Sequence, residues 1–154
     1  MLTAIRSAPS DKLTTLCAFV NAGQRQALYA GLRGEERAYF VDAIARLCAT
    51  IDAMPVTYGQ DGNPDPTAHL HYFTAGADWY ITEKDSDPDG QGQIQAFGLA
   101  DIFGDGGEMG YISIPELLAN HAEINLHFTP APLSQVRSTY IAFRALCDAA
   151  RREA

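Results

Sequence analysis

The sequence predicts an α+β domain in which N-terminal helices and a C-terminal helix pack on an antiparallel sheet of about five strands. Three observations predict it. Apolar residues recur at helical spacing up to residue 55, the period changes to alternation between residues 56 and 130, and helical spacing returns over 131–154. The alternating segments are joined by short connections rich in Gly, Asp and Pro, which favour antiparallel neighbours over βαβ crossovers. The chain has 154 residues, 47% of them hydrophobic, so residues 1–154 read as one domain whose core needs neither disulfide nor metal.

Ser10 is placed to cap a first helix carrying Leu13, Leu16, Cys17 and Val20 at helical spacing. Asn21-Ala22-Gly23 breaks that run, and Gln24 to Leu32 reads as a second short helix bounded by Gly31 and Gly34. A third helix starts at Glu35. Phe40, Val41, Ile44, Leu47, Cys48 and Ile51 form its apolar stripe, and Pro55 ends it. Gly59 to Pro66 is a loop by composition. Strands are expected at Ala68–Phe73, Trp79–Glu83, Ile94–Leu99, Gly110–Ile114 and Ile124–Phe128. Between the last two, Ser113-Ile114-Pro115-Glu116 has the capping-box form and should start a short helix. The final helix carries Leu133, Val136, Tyr140, Phe143 and Cys147 on one side, and Trp79 is read as a core residue. A helical layer is expected over one face of the sheet, with acidic loops at its rim.

Charge is unevenly divided. Residues 1–56 hold five acids and six bases, residues 57–123 twelve acids and only Lys84, and residues 124–154 two acids and four bases. The middle segment therefore carries −11 of a total of −8, against +1 and +2 at the two ends. Direct nucleic-acid binding through phosphate neutralisation is excluded for such a segment, and a basic protein surface suits it. No apolar run approaches bilayer length, and the N-terminus lacks the apolar core of a secretory signal, which places the chain in the cytoplasm. Cys17, Cys48 and Cys147 sit among apolar neighbours without metal spacing, and read as buried free thiols.

Several patterns invite chemistry. Asp85-Ser86-Asp87-Pro88-Asp89-Gly90 begins like a calcium loop, but Ala96 replaces the bidentate glutamate and strands flank it, so it reads as a solvated hairpin loop. His69 and His71 alternate onto one strand face, where His127 or a carboxylate could complete a metal site; packing and hydrogen bonding explain them as well. His121-Ala122-Glu123 has the H-x-E of zinc deaminases without the cysteine pair that must follow. Gly104 to Gly110 is glycine-rich, yet Asp101, Asp105 and Glu108 would repel a phosphate. A pair among the twelve acids could be catalytic only if burial or close pairing raised one pKa.

His69-Leu70-His71-Tyr72-Phe73-Thr74, Trp79-Tyr80-Ile81-Thr82-Glu83, Phe97-Gly98-Leu99 and Glu108-Met109-Gly110-Tyr111-Ile112-Ser113 follow one another in that order. Together they resemble a family of small bacterial proteins, domain of unknown function 2958, often carried by plasmids, phages and other mobile elements. The likeness spans roughly residues 55–130. It implies a fold and a genomic setting, and transfers no catalytic residue.

The reading these features favour is a non-enzymatic interaction protein, an accessory of a mobile element, whose acidic face engages a basic protein, as an anti-defence factor or DNA mimic would. Asp85, Asp87, Asp89, Asp101, Asp105 and Glu108 are the expected partner-binding residues; no catalytic residue, cofactor or metal is expected. A small metal-dependent or carboxylate-based hydrolase, or a small-molecule or calcium-binding module, is the alternative.

Overall fold

Asn21, placed by its composition in a break between two apolar runs, is the residue that makes a helix begin. Its side-chain oxygen accepts the Gln24 N–H at 2.8 Å and caps α2 (Ala22–Gly31). In the computed structural model, which describes residues 9–86 and 94–152, α1 (Pro9–Phe19) precedes it and α3 (Arg37–Ala53) follows. Ser10 thus lies inside the first turn of α1 rather than before it. Leu16 and Phe19 are the buried face of α1, continued by buried Val20 just past its end, while Leu13 and Cys17 are exposed. The run allows two overlapping i, i+3, i+4 stripes, and the one through Phe19 faces the sheet. Cys17 is therefore no buried thiol; Cys48 is, and burial pushes its pKa up. Met54 leaves α3 in extended geometry, as a residue before proline must. Lys84 then donates from Nζ to the Ile51 and Asp52 carbonyls, so the one base of the acidic segment serves the C-terminus of α3.

Five antiparallel strands make the sheet, in the order β5 (Glu108–Ile112), β4 (Ala96–Asp101), β3 (Asp78–Glu83), β2 (Leu70–Phe73) and β6 (Glu123–Ile124). A separate two-stranded ribbon pairs β1 (Thr67–Ala68) with β7 (Ala131–Pro132). The expected fifth strand, Ile124–Phe128, shrinks to its first residue. Asn125 accepts the His127 N–H in its side chain and the Phe128 N–H at its carbonyl, so the chain turns where its alternation looked extended. Ser113 caps α4 (Ile114–Ala119) as its capping box predicts, accepting the Glu116 N–H at 3.3 Å.

Strand alternation sends Leu70, Tyr72, Ile81, Ala96, Ile112 and Ile124 to one face, against α1–α4. Trp79 lies at the border of this core, half-buried. Tyr72 is fully buried, and its hydroxyl donates to the Phe19 carbonyl at 2.7 Å; burial pushes its pKa far up. Tyr80 and Leu99 point to the opposite face, where Leu133 and Val136 of α5 (Leu133–Arg152) cover them. The helices therefore lie on both faces of the sheet, and not in one layer. The side chains of Tyr140 and Phe143 lie outside the described residues. No helix among the described residues is long and apolar enough to cross a membrane.

His121, the residue of the failed deaminase pattern, closes α4. Its N–H bonds the Leu118 carbonyl and the Ala122 N–H bonds that of Leu117, a Schellman motif with His121 at the left-handed position, φ 61°. Glycine occupies that conformation without the Cβ penalty. His121→Gly is expected to raise stability by about 0.5–1 kcal/mol in denaturant melts; a lower midpoint would show that the imidazole makes up for its own strain.

Candidate functional site

The two edges of the sheet are finished differently. At β6, the Gln24 amide takes the place of a strand: its Oε1 accepts the Ile124 N–H at 3.0 Å and its Nε2 donates to the Ile124 carbonyl at 2.7 Å. Asn21 Nδ2 adds a bond to the Ala122 carbonyl at 2.8 Å. That edge is short and its main chain is occupied. At β5, among the described residues, no hydrogen bond joins the main chain of residues 108–112 to anything beyond β4. In an antiparallel ladder alternate residues of an edge strand turn N–H and C=O outward. β5 also carries no Pro or Lys, the residues that commonly blunt such an edge.

Around this edge large apolar side chains stand in solvent. Met109 and Tyr111 project from β5 on the α5 side of the sheet, with Tyr111 59% exposed. The β4–β5 hairpin ends in Ile102 and Phe103, the latter 84% exposed. Asp105 and Glu108 are the exposed acids of the same hairpin. Its shape is set by Asp101, which is only 3% exposed and accepts the Asp105 N–H at 3.2 Å, and by Asp105 itself, which accepts the Gly107 N–H at 3.2 Å. Gly107 has φ 69° and a Cβ there would run into the Ala100 carbonyl, so the turn requires glycine.

A cleft of about 650 Å³ opens beside β5. Tyr58, Phe97, Met109 and Tyr111 form one wall, and Leu133 and Arg137 of α5 the other. The loop 58–66 is pinned over it by Glu83, 5% exposed at the cleft floor. Its Oε2 accepts the Tyr58 N–H at 2.9 Å and its Oε1 the Gln60 N–H at 2.8 Å. The Gln60 amide in turn bonds both main-chain groups of Thr67, repeating the device of Gln24. Asp65 accepts the Ser134 N–H and hydroxyl, at 2.9 and 2.6 Å; these bonds hold its pKa below the usual value and tie the loop to the start of α5. Tyr58 sits at φ 73°, a conformation bulky side chains rarely adopt, and its hydroxyl meets that of Tyr111 at 2.8 Å. That hydrogen bond is the first cause of the raised pKa of Tyr111.

The acids expected to form one face are thus divided. Asp105 and Glu108 are exposed together. Asp101 and Asp85 are buried; Asp85, 8% exposed, accepts the Gln95 N–H at 3.3 Å. Asp101 helps to shape the β4–β5 turn, and Asp85 joins the segment after β3 to the residue before β4. Asp87 and Asp89, with the rest of the calcium-like pattern, lie outside the described residues. The cleft's aromatic wall and Glu83 were not singled out by sequence as a site. Tyr58, Phe97 and Tyr111 each stand next to a glycine, and no spacing links the three in sequence.

The histidines do not converge. His71 stacks on Tyr80, its Nε2 lies 2.7 Å from Asp78 Oδ1, and its Nδ1 accepts from the Asn125 amide at 3.2 Å. Neither ring nitrogen is left for a metal or a substrate proton in this arrangement. His69 lies instead on a second cleft of about 520 Å³ beside Arg46 and Thr50 of α3, and burial lowers its pKa. His127 meets the Tyr39 hydroxyl at 3.1 Å on the surface. Among the described residues no three His, Cys, Asp or Glu side chains are grouped so as to hold a metal ion. No family model matches the chain, and neither does any curated protein or solved structure.

Proposed function

We propose that this protein is a non-enzymatic interaction module of the cytoplasm that holds a basic protein partner against the β4–β5 hairpin and the β5 edge. One observation carries the reading: exposed Asp105 and Glu108 stand among exposed Phe103, Met109 and Tyr111 on one hairpin, whose β5 side is an edge without a partner among the described residues. Apolar side chains rimmed by charge are the composition of a protein-binding patch, and the sign of the rim selects a basic partner. The engagement of both His71 nitrogens and both Glu83 oxygens by protein groups weighs against the hydrolase alternative. Placement on a mobile element, with an anti-defence role, is supported by the resemblance of the central segment alone.

The test is the rate at which a Lys-rich peptide associates with the protein as salt is varied. Steering acts within a Debye length, ~8 Å at physiological ionic strength, so association should fall steeply with salt. Asp105→Asn with Glu108→Gln should slow it about tenfold at low salt and leave the melting temperature in place. Asp101 is left intact because it is buried, and Asp105→Asn keeps the Oδ1 that accepts the Gly107 N–H. A rate indifferent to both salt and the double substitution would reduce the acids to a solubility feature.

A further inference from the structure

We infer that β5 accepts an extended, basic segment of the partner protein as a sixth strand of the sheet, with alternate side chains of that segment entering the cleft between Tyr58, Phe97 and Tyr111. The inference rests on the interaction reading above and names how the partner is held.

Four features point to a strand rather than to a helix or a folded surface. The outward main-chain groups of β5 are unpaired among the described residues, whereas the opposite edge is closed by Gln24. Water satisfies such groups in the free protein, and another extended main chain is the element that pairs the whole row at once. Gly110, at the centre of β5, has no need to be glycine for the fold: its φ is not positive and a Cβ there meets nothing within 4 Å. A glycine in a strand interior commonly marks a bulge, a bend or the close approach of another backbone, and the register through Gly110 shows no bulge. Met109 and Tyr111 are followed on the same side of the sheet by the cleft, so a strand added to β5 carries its own alternate side chains onto that aromatic wall. The 650 Å³ cleft accommodates side chains of that kind.

Charge decides the occupant. A second copy could pair β5 with β5 antiparallel about Gly110. The hairpin of each copy, with Asp105 and Glu108, would then run beside the Ser113–Glu116 turn of the other, setting acid against acid at both ends. Among the cleft's lining residues Arg137 is the one base, set on the α5 wall, against Asp61, Asp65 and Glu83. A basic segment meets no such repulsion, and its lysines or arginines lie along Asp105 and Glu108.

The probe is an octapeptide of alternating lysine and valine, compared with its fully N-methylated counterpart, which keeps every charge and side chain but has no main-chain donor. The expected result is binding of the unmethylated peptide at least about tenfold tighter, with slowed hydrogen exchange confined to amides of residues 108–112. Tyr111→Ser, at an exposed position, should weaken that binding several-fold, more than any fall in melting temperature explains. Equal binding of both peptides, weakened by Asp105→Asn with Glu108→Gln, would overturn strand addition and leave the interaction reading standing. No binding of either peptide at low salt would overturn both. A free protein that sediments as a dimer with residues 108–112 already protected would give the edge to a second copy, and overturn the inference.

Discussion

Gly98→Ala is expected to destabilise the protein by about 2–4 kcal/mol, a large effect for one methyl group. Gly98 lies in the middle of β4, opposite Ile81 on β3 and Gly110 on β5. A Cβ at this position would run into the Tyr80 carbonyl and lie 3.0 Å from the Ile81 Cα, both main-chain atoms of the neighbouring strand. No side chain can rotate away to make room, so β3 and β4 must separate locally. The register irregularity between Ile81 and Glu83 sits beside this contact, and the close approach of the two strands belongs to it. Gly110→Ala is the control. It adds the same methyl across the same ladder into open space, and should change stability by less than about 0.5 kcal/mol. Denaturant melts with equal slopes for the three proteins would isolate the difference. A Gly98→Ala protein as stable as the control would mean that the strands part without cost.

This contrast between two glycines in one ladder also marks what sequence could and could not yield. Local signals were legible. The stripe of α3 faces the core from Phe40 to Ile51, apart from exposed Val41, and the Ser113 box opens α4. Four of the strands fall where alternation placed them, within two residues. What left no signal is the pairing of a side chain with main chain elsewhere in the fold. Gln24 serves Ile124, Glu83 serves Tyr58 and Gln60, and Gln60 serves Thr67; none of these bonds has a periodicity. Charge alone does not say which acids stand in solvent. Counting Asp85 and Asp101 with Asp105 and Glu108 treats every acid in a loop as solvated, yet a short acidic side chain is also the usual group that closes a turn by accepting main-chain N–H. Burial separates the two uses, and burial of a polar side chain is a property of the fold. The same holds for Asn21, whose composition suits a break and a cap alike, and for the apolar alternation Ile124, Leu126, Phe128, which runs into a turn.

Glu83→Ala should cost about 2–4 kcal/mol and should impair peptide binding more than that loss of stability explains. The carboxylate is nearly buried and each oxygen accepts one main-chain N–H, from Tyr58 and from Gln60. Truncation leaves both donors without an acceptor in a place that water reaches poorly. Glu83→Gln keeps the shape and one acceptor but turns an NH2 toward the second donor, so it should be nearly as harmful, which separates hydrogen bonding from packing. The loss falls on the loop 58–66. Without its anchor Tyr58 need not remain at φ 73°, where strain of about 1–2 kcal/mol is stored, and its release offsets part of the cost. The Tyr58 hydroxyl then leaves that of Tyr111, and the aromatic wall of the cleft comes apart. A double-mutant cycle measures this coupling directly. Tyr58→Gly relieves the strain in the intact protein, so with Glu83 present it should cost little stability, while binding of the lysine–valine peptide still falls. With Glu83→Ala already in place, the strain has gone and Tyr58→Gly should change neither quantity further. Additive effects on stability and on binding would show that the carboxylate and the left-handed tyrosine act independently, and that Glu83 holds the loop without shaping the cleft.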